Sequence, residues 1–300
     1  VYMGEDARGE YITKFVSRDP VRLGGYAANR DLLDHGTLYG ARFDADGTGA
    51  WVPLVAGQRG LTSEAGFADQ GEVVIKARQA ADRVGGTPMD RPEWIAHDAT
   101  SGWLYCALTN NRDRGRADGS PVDAANPRAN NLMGHILRWR EDGDFTATRF
   151  RWEHFVLAGD SEAEQPEHRG TIRGDVFSSP DGLWVDPRGI LWIQTDISTA
   201  ALGQGPHRRM PTNMMLACDP ASGEIRRFLV GPPGCEVTGV AMTPDLRTMF
   251  VNIQHPGETP SDRSDPARPA RFSSWPDGAG QRPRSATIVI RRADGGVIGT

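Results

Sequence analysis

Three stretches of this chain repeat one template, and that repetition limits the fold more than any other feature. They are Glu93-Trp-Ile-Ala-His-Asp-Ala-Thr-Ser-Gly-Trp-Leu-Tyr-Cys-Ala-Leu-Thr-Asn-Asn111, Asp181-Gly-Leu-Trp-Val-Asp-Pro-Arg-Gly-Ile-Leu-Trp-Ile-Gln-Thr-Asp196 and Thr238-Gly-Val-Ala-Met-Thr-Pro-Asp-Leu-Arg-Thr-Met-Phe-Val-Asn-Ile-Gln-His255. Each opens on a polar residue, runs through a short apolar strand, turns on Asp, Pro or Gly, and leaves a second apolar strand on polar residues. That is the pattern of a β-hairpin. A weaker relative runs Leu33-Asp-His-Gly-Thr-Leu-Tyr-Gly-Ala-Arg-Phe-Asp44. Hairpins repeated at these intervals predict an all-β fold, a β-propeller with blades around a central channel, forming one domain over 1–300. A β-sandwich is the alternative arrangement.

Composition agrees with many turns and few long helices, since 36 glycines and 21 prolines stand in 300 residues. One short helical insertion is expected over 69–84. Val73, Val74, Ala77, Ala81 and Val84 fall on one helical face there, ahead of a Gly85-Gly86 stop. Long loops are expected at 112–130, 159–178 and 256–285, the last a surface loop crowded with Pro, Arg, Ser and Asp. The net charge of −5 argues against nucleic acid as a partner. No run of about 18 apolar residues is present to span a membrane. Three cysteines make neither a disulfide framework nor a CxxC metal motif.

Chemistry is expected where the blades' first strands open onto the channel mouth. Glu93 and Asp181 hold the same slot in two repeats. The third repeat has Thr238 in that slot, with Glu236 two positions earlier on the same face. The strand exits add Asn110, Asn111, Asp196, Asn252 and His255. Any one of these reads equally well as a strand or turn cap; their recurrence at matching positions favours a shared site. Carboxylates crowded together repel and raise one another's pKa values. A hard cation such as calcium relieves this with oxygen ligands, and the scarcity of sulfur disfavours structural zinc. Arg91, two residues before Glu93, faces the same mouth, where a guanidinium suits a bidentate grip on phosphate. Simple neutralisation of a neighbouring carboxylate is the other reading. The turn Gly4-Glu-Asp-Ala-Arg8 offers Glu5 or Asp6 to the mouth, while His135 reads as a core histidine and Cys106, Cys218 and Cys235 as packing residues.

Taken in order, several motifs resemble the PhoX-type alkaline phosphatases. They are Gly4-Glu-Asp-Ala-Arg-Gly-Glu-Tyr-Ile-Thr-Lys-Phe15, Asp90-Arg-Pro-Glu-Trp-Ile95, Ser179-Pro-Asp-Gly-Leu183, Leu191-Trp-Ile-Gln-Thr-Asp196, Gly234-Cys-Glu-Val-Thr-Gly239, Val251-Asn-Ile-Gln-His-Pro-Gly-Glu258 and Arg282-Pro-Arg-Ser-Ala-Thr-Ile-Val-Ile290. The resemblance implies a six-bladed propeller carrying Ca2+ and Fe3+, exported to the periplasm or secreted, that releases inorganic phosphate from small phosphate esters, here as a monomer. It implies catalytic roles for Arg91 and Glu93, a metal site at Glu93, Asp181, Glu236 and Asp196, and substrate binding by Arg91, Asn110 and His255. Members of that family are longer, and an iron-bridging cysteine and further glutamate ligands belong to an N-terminal portion that none of the three cysteines matches. The chain is therefore expected to be a fragment lacking the first blades. Asp181-Gly-Leu-Trp-Val-Asp-Pro-Arg-Gly-Ile-Leu-Trp192 also resembles the sugar-lactone hydrolase propellers, so a calcium-dependent lactonase or esterase is one alternative. A non-catalytic binding propeller is another.

Overall fold

A computed structural model describes residues 1–259 and 265–299 as four successive antiparallel meanders, the blades of an incomplete β-propeller. The first blade holds strands Tyr2–Met3, Thr13–Ser17, Gly36–Phe43 and Thr48–Pro53. The second holds Pro92–His97, Leu104–Leu108, His135–Glu141 and Arg149–Leu157. The third holds Pro180–Val185, Leu191–Thr195, Met214–Asp219 and Glu224–Val230, with Arg173–Gly174 pairing parallel along its outer edge. The fourth holds Glu236–Met242, Met249–Gln254 and Ala286–Ile290. The first strands of successive blades pack against one another around the axis. At the rim, Thr48–Ala50 pairs with 149–151, joining the outer strands of the first two blades.

Period-two alternation builds this stack. On the second strand of blade two, Leu104, Cys106 and Leu108 pack with Trp51, Phe43 and Ile12 of blade one. Tyr105 and Ala107, on the other face, pack with Leu183, Leu191 and Ile193 of blade three. Blade three repeats the device: Leu191 and Ile193 turn toward blade two, and Trp192 toward Val237, Met249 and Val251 of blade four. Such strands are buried on both faces, which is why 104–108 and 191–193 read as apolar runs. Each large side chain sealed this way contributes about 1.5–3 kcal/mol. The last blade alternates visibly, with Met249, Val251 and Ile253 buried and Phe250, Asn252 and Gln254 exposed. The three cysteines are free and buried within these clusters.

Three expectations need correction. The single helix over 69–84 is two short helices, Gln70–Ile75 and Ala77–Arg83, broken at Lys76 (φ −101°, ψ 37°). The β-branched run Val73-Val74-Ile75 resists helix continuation, and Val74 and Ile75 point to solvent while Val73, Ala80 and Ala81 are buried. These helices pack on Leu54, Leu61 and Phe67 beside blade one. A further helix, Gly25–Asn29, had no sequence signal. The stretch 33–44 holds one strand rather than a hairpin, its partner being Thr48–Pro53. Of the expected loop 256–285, residues 260–264 lie outside the described residues, and the described remainder carries neither strand nor helix. Among the described residues, no helix is long and apolar enough to cross a membrane.

Candidate active site

Each of the three acids that open an inner strand follows, at two residues' distance, a residue in the left-handed backbone region. Arg91 (φ 55°) precedes Glu93, Ser179 (φ 49°) precedes Asp181, and Gly234 (φ 65°) precedes Glu236. Glu236, not Thr238, is therefore the counterpart of Glu93 and Asp181, and it opens the inner strand of blade four. The left-handed residues are held by the neighbouring strand: Arg91 O accepts from Thr109 N at 3.1 Å and Ser179 O from Asp196 N at 3.0 Å. The inner strands of blades two and three then shift register just past the acid, between Pro92 and Ile95 and between Pro180 and Leu183.

These turns bring Asp181, Asp196 and Glu236 together, with one carboxylate oxygen from each lying within 4.8 Å of the others. Glu93 adjoins them, sharing hydrogen bonds with Asp6 on one side and Asp181 on the other. Arg91 closes the ring. Its Nε and Nη2 donate to Asp6 at 2.5 and 3.0 Å, and Nη2 stands 3.8 Å from both Glu93 and Asp196. Asp6 reaches this position because the turn before it lies directly on the inner strand of blade two. A Cβ at Gly4 would come within 2.3 Å of Glu93 O, so only glycine fits. Of the two residues offered by that turn, Asp6 is the one that enters the site.

Behind Arg91 lies a buried scaffold. Asp90 accepts from Arg114 Nε at 2.7 Å and Asn131 Nδ2 at 2.9 Å, and Arg114 also donates to Pro88 O and Pro121 O. This pins the loop 112–130 and explains why it holds a fixed course. His135 is a satisfied core histidine: Nε2 donates to Ala125 O at 2.9 Å while Nδ1 accepts from Asn131 Nδ2. Asn110 is half-buried at the exit of the strand Leu104–Leu108, beside the Thr109 amide that holds Arg91. His255 is on the far side of the cluster, Nε2 3.5 Å from Glu236 and Nδ1 3.6 Å from Glu258. Gln254 Nε2 donates to Glu236 at 2.8 Å. Glu258 and Gln254 are additions to the expected set. The tight turn His255-Pro-Gly-Glu258, with Gly257 at φ 82°, was the available signal for Glu258.

Five carboxylates thus face one guanidinium, and their acidities record the crowding. Burial first, then Asp6 and Asp181, push Glu93 up to about 9. Burial, then Glu236 and Asp196, push Asp181 up to about 7. Asp196 and Glu236 are raised by burial also, with Arg91 and His255 opposing. Asp6 goes the other way, because the hydrogen bonds from Arg91 and Glu93 outweigh its burial. Acids converging at this density without a cation hold protons they would otherwise release. Their oxygen-only donor set and spacing fit a hard metal ion.

Comparison with known proteins agrees with the motifs. The family described as alkaline phosphatase PhoX matches residues 1–257. The solved structure of Pseudomonas fluorescens PhoX in complex with vanadate, a transition state analogue, is 47% identical, with a TM-score of 0.89. That match covers 99% of this chain and 51% of that one, so the chain spans about half the length of that relative. A periplasmic gluconolactonase from Pseudomonas aeruginosa aligns at 13% identity over 57% of this chain and 39% of its own, with a TM-score of 0.33. A gluconolactonase from Xanthomonas campestris aligns at 16% identity over 82% and 67%, with a TM-score of 0.31. Neither carries weight for function, and the lactonase alternative is not favoured. No curated protein matches the chain. On the family match and the end-to-end likeness at 47% identity, the chain belongs to the alkaline phosphatase PhoX family.

Proposed function

We propose that the protein is a metal-dependent phosphomonoester hydrolase that releases inorganic phosphate from small phosphate esters, with its metal held by Asp181, Asp196, Glu236 and the adjoining Glu93. The single observation that carries the reading is Arg91 set against that acidic group, within 3.8 Å of Glu93 and Asp196. A guanidinium beside a cation site is the arrangement that grips a phosphoryl group and offsets its charge. The vanadate bound in the Pseudomonas fluorescens structure supports a site shaped for phosphoryl transfer. Bound calcium and ferric ions, the proposed pair, would polarise the phosphoryl oxygens and favour an oxygen nucleophile.

The chain's own residues supply the rest. Asp6 holds the Arg91 guanidinium in a fixed plane through Nε and Nη2, and Nη2 also stands 3.8 Å from Glu93 and Asp196. Glu93, sharing hydrogen bonds with Asp6 and Asp181, links the Arg91 side of the site to the acids that would hold the metal, and would give up its proton when the cation binds. His255, against Glu236, and Asn110, next in sequence to the Thr109 that holds Arg91, are proposed to contact substrate. Export to the periplasm or beyond and action as a monomer complete the reading.

The test is hydrolysis of para-nitrophenyl phosphate by the intact protein, with and without chelator, beside Glu93→Ala and Asp196→Asn. Chelation and either substitution should lower turnover by at least about a hundredfold with the fold retained, the scale of losing a positioned charge partner. Near-normal turnover in both variants would reject the assignment.

A further inference from the structure

A second concave surface adjoins the acidic cluster. An open cavity of about 620 Å³ is lined by residues from 255–259, 265–272 and 282–285, a volume that takes a small organic body. His255 is the shared wall: it lines this cavity, and its Nε2 faces Glu236 of the cluster at 3.5 Å. Ser285 Oγ accepts the His255 amide at 3.0 Å, tying the segment that carries Arg282 and Arg284 to that wall. A phosphoryl group held between Arg91 and the acids therefore has this cavity on the His255 side.

The charges lining it do not cancel evenly. Arg268 is paired with Asp265 at 2.8 Å and Arg284 with Asp277 at 2.8 Å. Glu258 faces His255 at 3.6 Å, on the cluster side. Arg282 lines the cavity, is exposed, and has no ion-pair or hydrogen-bond partner among the described residues. Phe272 lines the same cavity, with the Arg271 guanidinium 4.6 Å from its ring centroid. A cavity that holds an unpaired guanidinium and an aromatic side chain recognises a flat or apolar body that carries an anion.

We infer that this cavity seats the leaving alcohol of the substrate and that Arg282 selects phosphomonoesters whose alcohol carries a second negative charge, an inference that rests on the phosphomonoester-hydrolase reading. In that reaction the bond from phosphorus to the alcohol oxygen breaks, water supplies a hydroxyl to phosphorus, and the remaining proton goes to the alcohol. Glu258 repels an anion placed close to the scissile bond, so the second charge has to sit at the outer end, against Arg282.

Phenyl phosphate and para-carboxyphenyl phosphate, which differ by one carboxylate, are the probes. The intact wild-type protein and Arg282→Gln are compared by the ratio of kcat/KM for the two esters. The ratio should fall about tenfold in Arg282→Gln, as for loss of one charge-assisted contact, with phenyl phosphate turnover retained; Arg282→Lys should keep part of the preference. An unchanged ratio, or an equal loss on both esters, overturns the inference while wild-type turnover leaves the phosphatase reading standing. Wild-type protein that hydrolyses neither ester removes that reading and this inference together.

Discussion

Replacing Asp181 by Asn separates a carboxylate kept for a cation from one kept as a strand cap, because the two roles predict stability changes of opposite sign. Asp181 is 7% exposed, and its carboxyl is pushed from 3.8 up to about 7 by burial and then by Glu236, Asp196 and Asp6. At about 1.36 kcal/mol per pH unit, the ionised form costs the metal-free fold about 4 kcal/mol. Because the folded value lies above the unfolded one, this cost is absent below about pH 4, grows as the pH rises from 4 to 7, and is complete above 7. Asn removes the charge but disturbs the hydrogen bond shared with Glu93, so about half of that sum, about 2 kcal/mol, is the expected gain at pH 8. For a chain of 300 residues the gain is about 3 °C in melting temperature. The assay is calorimetry of the intact protein after exhaustive chelation, at pH 8 and pH 5, and again with calcium restored. Asp181→Asn should melt higher than wild type in chelator at pH 8, lose most of that advantage at pH 5, and gain less from calcium. A variant that melts lower than wild type in chelator at pH 8 behaves as a broken cap, and the cation argument fails.

Two further outcomes follow from the scaffold behind the site. Arg114→Ala leaves Asp90 buried without its partner, where both side chains are fully enclosed at 2.7 Å. It should cost about 3–5 kcal/mol in urea denaturation, and a loss below about 1 kcal/mol would show that the 112–130 loop is anchored elsewhere. His135 is held well below its ordinary pKa by burial, then by His154 and Arg128. Its contribution to stability is present above the unfolded value of about 6.5 and is lost as the pH falls, by about 1.4 kcal/mol per pH unit. The urea midpoint of His135→Gln should therefore depend less on pH between 7.5 and 5.5 than that of wild type; parallel curves would mean that His135 takes up its proton without unfolding.

The blades were legible because of where their middle strands sit. A strand sealed between two neighbouring blades favours apolar side chains on both faces, so 104–108 and 191–193 stand out as apolar runs, while the buried Gln194 and Thr195 that follow bond to Gly239 O and Asn213 Oδ1. The helical insertion was legible as helix but not as a pair. Its apolar spacing fits one continuous helix, whereas the break at Lys76 follows from three β-branched residues and from Lys76 bonding to Gly66 O and Glu72. Asp6 was legible only as a charged turn, because its approach to Arg91 depends on Gly4 lying against a strand some ninety residues away in sequence.

The misplaced slot in blade four shows what sequence alignment of repeats cannot see. Matching apolar runs puts Thr238 opposite Glu93 and Asp181; period-two alternation points from there to Glu236, and the left-handed residue two positions before each acid is what makes Glu236 their counterpart. Left-handed conformation at Arg91 and Ser179 costs on the order of 1 kcal/mol each and persists only where surrounding bonds enforce it. At Gly234 it costs little, so glycine is the one visible trace of the device. Arg and Ser carry no such mark. The acids are therefore aimed by backbone turns fixed by neighbouring strands, through Thr109 for Arg91 and through Asp196 and Met133 for Ser179. Asp196 both holds one of these turns by its amide and lends its carboxylate to the cluster. A site built this way is rigid before any ligand arrives, which is what lets five carboxylates remain close when their charges alone would drive them apart.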